Sequence, residues 1–126
     1  MQLSEVIMAL DAEVLVDGPG DLEIDFAGGS DSVSDVLVYG KPRMMLLTGL
    51  TQPSVIRAAQ LMDVAAVVFV RGKHPDESVL EMARTLGVPV LLSPHSMYDS
   101  CGRLYVRGLP GVIPTRNHAT SMVYCS

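Results

Sequence analysis

The sequence predicts an α/β fold, a three-layer α/β/α sandwich around a mainly parallel sheet built from βα units. Three continuous apolar runs, at residues 44–48, 65–70 and 89–92, indicate this fold, because strands covered on both faces lack the alternation of half-exposed strands. Each run is followed by a polar loop with a proline and then by an amphipathic segment, the order typical of βα units. Since parallel neighbours need a crossover connection, we expect the helices to cover the faces of the sheet.

The first part of the chain predicts a helix and two strands. Apolar residues at positions 3, 6, 7 and 10 have helical spacing, with Ser4 as the candidate N-cap. Residues 12–16 and 22–26 have the composition of strands. The segment between them, residues 17–21, is Asp-Gly-Pro-Gly-Asp, a dense turn signal that predicts a hairpin or another tight connection.

The remaining helices follow from glycine stops and apolar spacing. Residues 28–31 end the second predicted strand, and the apolar positions from Val33 to Leu37 indicate a second helix that closes at Gly40. Three further amphipathic helices are expected after the apolar runs, at residues 55–62, 79–86 and 97–105. The last of these places Cys101 on an apolar face with Tyr105, where we expect a buried and unreactive thiol.

Length and charge limit the kind of protein. The chain has 126 residues, 48 % hydrophobic and 18 % charged, which suits one folded domain. The net charge of −5 argues against a nucleic-acid partner, which needs a basic surface. Nine of the fourteen acids lie in residues 1–40, and all nine bases follow them. No apolar run could cross a bilayer, and the two cysteines lack C-x-x-C spacing, so we expect a cytoplasmic protein with no membrane partner.

The C-terminal residues differ from the rest of the chain. We predict one domain over residues 1–109 and an extended or flexible tail over residues 110–126, because prolines, a glycine and a polar stretch replace the βα pattern. Such a tail could dock on a neighbouring subunit. The tail carries Val112, Ile113, Met122 and Val123. They favour a homodimer or a higher homo-oligomer.

Candidate binding residues follow the three apolar runs. The carboxyl ends of parallel strands meet at one edge of a sheet, where helix N-termini and free backbone N–H groups attract anions. The residues that bring glycines, hydroxyls, cations and imidazoles to this edge are Thr48, Gly49, Thr51, Arg71, Gly72, Lys73, His74, Ser93, His95 and Ser96. We interpret them as a site for an anionic metabolite or a nucleotide. The alternative is a set of ordinary βα turns, with the two cations solvated or paired with Asp76 and Glu77.

Evidence for catalysis is weak. Asp31, Ser34 and Asp35 could chelate a metal or act as acid and base, although aspartates near a helix start more often cap it or face solvent. The sequence has no G-x-S-x-G elbow, and neither Gly-Lys pair has the flanking residues of a phosphate-binding P-loop. We therefore expect no catalytic residues, no metal site and no cofactor, and we do not expect an enzyme.

Four short stretches resemble a known domain family. They are residues 34–37 after a Gly-Gly turn, residues 46–49, residues 66–72 with Pro75, and residues 86–91. On these stretches the sequence resembles the DRTGG domain family, and it is similar to the related N-terminal domain of bacterial HPr kinase/phosphorylase. The Asp-Arg and Thr-Gly-Gly signatures that name the family are not intact here, and Gln52 and the pair Arg71-Gly72 stand in their neighbourhood.

The resemblance implies a three-layer α/β domain without established catalytic residues. Family members accompany CBS modules, phosphotransacetylases or HPr kinase as regulatory or assembly parts. Two functions are consistent with this. The first is a non-catalytic regulatory domain that senses an anionic small molecule or a nucleotide at the loop edge. The alternative is a protein-interaction or oligomerisation module without a small-molecule ligand, whose partner would be an enzyme or a signalling protein.

Overall fold

In residues 1–113, five strands form one sheet: β1 (Glu13–Val16), β2 (Phe26–Gly29), β3 (Met44–Thr48), β4 (Ala66–Phe69) and β5 (Val90–Leu92). Their order across the sheet is β1-β5-β4-β3-β2, in which β2 to β5 run parallel and β1 is antiparallel to β5. This computed structural model describes residues 1–113. The predicted α/β fold with a mainly parallel sheet is confirmed.

Five helices of the described part of the chain cover the two faces of the sheet: α1 (Leu3–Leu10), α2 (Val33–Tyr39), α3 (Pro53–Leu61), α4 (Glu77–Leu86) and α5 (Met97–Tyr105). α2, α3 and α4 pack side by side on one face, and α1 packs with α5 on the other. Each face has its own buried apolar cluster. Every residue of β3 and β4 is consequently buried, as the continuous apolar runs predict.

The predicted hairpin is wrong. β1 and β2 lie at opposite edges of the sheet, so residues 17–21 lead the chain away from β1 and do not return it alongside. The second strand is also shifted, because residues 22–24 pair with the chain start. The Leu3 N–H donates to the Leu22 carbonyl and the Ile24 N–H donates to the Met1 carbonyl, each at 2.7 Å. β1 instead pairs with β5 at the edge of the sheet. This pairing joins segments far apart in the sequence, so a local turn signal does not predict it.

Gly28 and Gly29 lie inside β2 and do not end it. A Cβ on Gly29 would come within 2.8 Å of the Met97 sulfur and 3.1 Å of the Cys101 sulfur. The missing side chain therefore allows α5 to pack closely over the end of this edge strand.

The helix starts show which local signals are correct. The Ser32 hydroxyl accepts from the Asp35 N–H at the start of α2, and Pro53 occupies the first turn of α3. At α1 the N-cap is Gln2, not Ser4. The Ser4 hydroxyl instead donates to the Asp21 carboxylate at 2.8 Å, because the chain after β1 returns to the start of α1.

The first residues of the predicted tail lie along β2. The Ala27 N–H donates to the Pro110 carbonyl at 2.9 Å, and the Val112 N–H donates to the Ala27 carbonyl at 3.2 Å. The other residues of the predicted tail, 114–126, with Met122 and Val123, lie outside the described residues. Within residues 1–113, no helix has the length and apolar character needed to span a membrane.

Candidate functional site

The carboxyl ends of the parallel strands bring three of the predicted loops together. The Val70 N–H donates to the Thr48 carbonyl at 3.1 Å, which joins the end of β3 to the end of β4. The Gly72 N–H donates to the Ser93 carbonyl at 2.8 Å, which joins β4 to β5. The loops that follow these strands therefore form one continuous edge, as the sequence predicts.

The side chain of Asp31 binds the backbone at the carboxyl end of β3. The Gly49 N–H donates to Asp31 Oδ1 at 2.7 Å, and the Thr48 hydroxyl lies 3.5 Å from the same oxygen. Thr48 is fully buried, and its hydroxyl oxygen also accepts from the Leu50 N–H at 3.1 Å. The carboxylate of Asp31 thus accepts the hydrogen bond that the Gly49 N–H would otherwise offer to a bound anion.

Asp31, Ser34 and Asp35 do not face a common point. While Asp31 binds Gly49, the Asp35 carboxylate accepts from the Ser30 hydroxyl at 3.3 Å, and Ser34 is exposed. Across residues 1–113, no group of three or more His, Cys, Asp or Glu side chains is placed to hold a metal ion. The sequence analysis named Asp31 only as a metal or acid–base candidate with Ser34 and Asp35, and did not include it among the ligand-binding residues of this edge.

Arg71 projects over Gly49. A Cβ on Gly49 would lie 2.9 Å from Arg71 Nη2 and 3.2 Å from Asp31 Oδ1, so the guanidinium and the carboxylate flank the same glycine. The backbone at Arg71 and Gly72 is left-handed, with φ of 64° and 62°. The Arg71 N–H donates to the His95 carbonyl at 2.7 Å, so this turn is stabilised by the next loop.

Three polar side chains of the loop after β4 face solvent. Arg71, Lys73 and His74 are exposed, and in the described part of the chain neither Arg71 nor Lys73 forms an ion pair. The carboxylate of Glu77 pairs with Arg84 at 2.8 Å, so it is engaged elsewhere. His74 Nδ1–H donates to the Pro75 carbonyl at 2.8 Å, which leaves Nε2 directed away from that bond.

The β5 loop uses its predicted residues to hold the fold. The Ser93 hydroxyl is buried 2.9 Å from the Ser100 hydroxyl and accepts from the His95 N–H at 3.2 Å. Ser96 caps α5 by accepting from the Asp99 N–H at 3.1 Å. His95 Nε2 lies 3.0 Å from the carboxylate of Asp11. Three of the predicted ligand-binding residues therefore already have partners within the protein.

Asp11 is a residue that the sequence analysis missed. It ends α1 in a left-handed conformation, with φ of 52°. Its carboxylate lies 3.0 Å from His95 Nε2 and 3.5 Å from Arg103 Nη1, so it links α1 to the β5 loop and to α5. The residues whose side chains remain open to a ligand at this edge are Arg71, Lys73 and His74, while Thr51 in the β3 loop is half-buried.

Cys101 and Tyr105 differ from their predicted placement on a buried face. Cys101 is half-buried, and burial raises the pKa of its thiol, which keeps it protonated at neutral pH. Tyr105 is 72 % exposed. Both residues line an open groove of about 810 Å³, to which Gly111 and Ile113 also contribute.

Comparisons with known proteins agree with this fold. The sequence model of the DRTGG domain matches residues 5–105. A solved structure of the CBS and DRTGG domains of the regulatory region of Clostridium perfringens pyrophosphatase, complexed with the activator diadenosine tetraphosphate, is similar with a TM-score of 0.64 and 16 % identity. The similarity covers 92 % of this chain and 51 % of that one, so this chain spans about half of that regulatory region. No curated protein matches the sequence.

Proposed function

The chain belongs to the DRTGG domain family, and from this premise we propose that it is a non-catalytic regulatory domain that senses an anionic small molecule or a nucleotide at the carboxyl edge of its sheet. The observation that carries the proposal is the exposed Arg71 guanidinium beside Gly49, with Lys73 on the same loop. The activator held by the similar pyrophosphatase region, diadenosine tetraphosphate, makes nucleotides the first ligands to test.

The proposed ligand contacts follow from charge and exposure. A guanidinium can bind a phosphate through two parallel hydrogen bonds, and an ammonium adds a mobile positive charge. Arg71 and Lys73 supply these two groups, while Thr48, Gly49, Thr51, Gly72, His74, Ser93, His95 and Ser96 would shape the surrounding edge. The net charge of −5 does not oppose this site strongly, because charges beyond a Debye length of about 8 Å are screened at physiological salt.

The wider proposal concerns organisation and partners. It comprises one domain over residues 1–109 with a tail over 110–126, a relation to the N-terminal domain of HPr kinase/phosphorylase, a cytoplasmic location and assembly as a homodimer or higher homo-oligomer. A regulatory domain also requires a target, which here would be an enzyme or a signalling protein. Light scattering on the full chain measures the oligomeric state, and a monomer at all concentrations would contradict self-assembly.

Arg71→Ala tests the proposed site. A ligand at a hundred times its Kd stabilises the folded state by about 2.7 kcal/mol, which thermal unfolding with inorganic phosphate, mono- to triphosphate nucleotides and diadenosine tetraphosphate would detect. We expect Arg71→Ala to weaken binding about tenfold or more, because a hydrogen bond to a charged group contributes about 1.5–3 kcal/mol. Arg57→Ala is the matched control, since it removes an exposed arginine from α3. If none of these anions binds, or if both variants bind equally, this site is not the sensor.

Asp31→Asn tests the internal carboxylate. Asparagine can still accept from the Gly49 N–H, so the loop is retained while a negative charge beside the site is removed. We expect anions to bind about fivefold more tightly, because two charges about 4 Å apart in water interact by about 1 kcal/mol. Asp35→Asn on α2 is the charge-matched control and should change affinity less. Weaker binding to Asp31→Asn would instead mean that Asp31 contacts the ligand directly.

One observation favours the alternative function, an interaction module without a small-molecule ligand. Tyr98, Tyr105 and Val106 on and beside α5 are 86 %, 72 % and 79 % exposed, an apolar surface of the kind that marks protein contacts. If the anion panel gives no response while Tyr98→Ser and Tyr105→Ser change the oligomeric state of the full chain, the alternative is supported.

A further inference from the structure

The groove beside α5 is lined mainly by apolar surface. Tyr98, Tyr105 and Val106 line it together with Leu109, Gly111 and Ile113. Gly102 also lines the groove, and a Cβ added there would have no neighbour within 4 Å. Exposed apolar side chains of this size around one groove are typical of a surface that binds a partner or another chain segment.

The path of the chain supplies a candidate for that segment. Gly111 pairs in parallel with Ala27 of β2, and Ile113 lines the groove. The described part of the chain therefore ends in the groove. The residues that follow number 13, residues 114–126, and include Met122, Val123 and Tyr124 near their end.

The length of this segment is sufficient to reach the whole groove. Residues 113 and 122 can be separated by about 30 Å when the chain between them is extended, at about 3.3–3.6 Å per residue. The 9 residues of α5 are about 13 Å long, at 1.5 Å per residue. The chain can therefore turn after Ile113 and bring residues 122–124 to any point along α5.

We propose that the C-terminal segment, residues 114–126, docks into this groove of its own chain, with the apolar side chains of residues 122–124 packed against Tyr105, Val106 and Ile113. The docked segment would cover the apolar face of α5. It would also place Cys125 close to Cys101, which lines the same groove. This inference is independent of the anion site, because none of the groove residues belongs to the proposed ligand contacts.

The two native cysteines provide the test. Oxidation of the full chain by diamide, which takes up the two electrons and two protons of a thiol pair, should form an intramolecular Cys101–Cys125 disulfide. A disulfide needs the two Cβ atoms about 4 Å apart, so its rate reports how often the segment occupies the groove. The product is identified as a monomer on a non-reducing gel and by the linked peptide in mass spectrometry. Cys125→Ser should abolish it.

Filling the groove distinguishes docking from random encounters of a tethered segment. Gly102→Trp places a large side chain in the groove and should slow formation of the disulfide about tenfold. Without docking, the two cysteines meet only through random encounters of the tethered segment, at its effective concentration. Leu61→Trp is the control, since Leu61 is 71 % exposed at the end of α3 and lines a different groove, beside α4 on the other face. Equal rates in the two variants would overturn the proposal.

A second measurement does not depend on thiol chemistry. Serine at positions 122, 123 and 124 together should speed amide hydrogen exchange in α5 and leave exchange in α3 unchanged, because the cover over α5 is lost. Unchanged exchange in α5 would overturn the proposal. A disulfide-linked dimer as the main oxidation product would also overturn it and would assign the groove to a second copy of the chain.

Discussion

Phe69→Ala is expected to lower the free energy of unfolding by about 3–5 kcal/mol, the range found when a fully buried aromatic side chain is removed. Phe69 lies in β4, the central strand, and has 0 % exposure. Its ring belongs to the cluster that joins the sheet to α3 and α4, so neighbouring elements on both sides limit collapse into the cavity. Urea unfolding followed by circular dichroism measures the change.

Phe26→Ala is the matched control for Phe69→Ala. Phe26 is the other phenylalanine of the chain and lies half-buried in the edge strand β2, with Lys41 Nζ 3.8 Å from its ring centre. The same chemical change should cost clearly less there, because solvent already reaches part of the ring. If Phe69→Ala does not fold, the smaller step Phe69→Leu gives the measurement. A loss at Phe69 no larger than at Phe26 would contradict the central packing of β4.

Gly40→Ala is expected to destabilise the fold by about 1–3 kcal/mol through overpacking. A Cβ at Gly40 would lie 2.5 Å from the Val36 carbonyl oxygen and 2.8 Å from the Met62 Cβ. Both neighbours are held in place, since Val36 is in α2 and Met62 ends α3. The added methyl group must therefore separate the ends of two packed helices.

Gly102→Ala is the opposite case and serves as the control. Gly102 lies in the exposed part of α5, where an added Cβ has no neighbour within 4 Å. Alanine there should stabilise the protein by about 0.5–1 kcal/mol, because it is the better helix former. Urea unfolding of the two variants should thus give changes of opposite sign. Destabilisation by both would show that the open space at Gly102 is not as described.

The parallel half of the fold was predictable because its signals are local. Residues 44–48 are continuous in apolar character, since both faces of β3 are covered, and the strand is found at Met44–Thr48. Pro53 and Gly87 mark a helix start and a helix end through their own backbone limits. These features do not depend on which strands are neighbours.

The arrangement of the predicted site residues was predictable only in part, for a physical reason. The convergence of Thr48 and Arg71 at one edge follows from parallel strands alone, and it is observed. The use of His95 was hidden, because its partner Asp11 is 84 residues away in the chain. The role of Asp31 was hidden in the same way, because it depends on where β2 lies.

The sequence by itself determined the βα units, the layers and the edge at which the loops meet, because apolar runs, prolines and glycines act through their immediate neighbours. Only the tertiary structure decided that β1 pairs with β5, that Asp31 accepts a hydrogen bond from the Gly49 N–H and that Arg71 remains open to solvent. Those outcomes depend on contacts between distant segments. They form when buried apolar area is greatest for the whole chain, and no short stretch of residues carries that information.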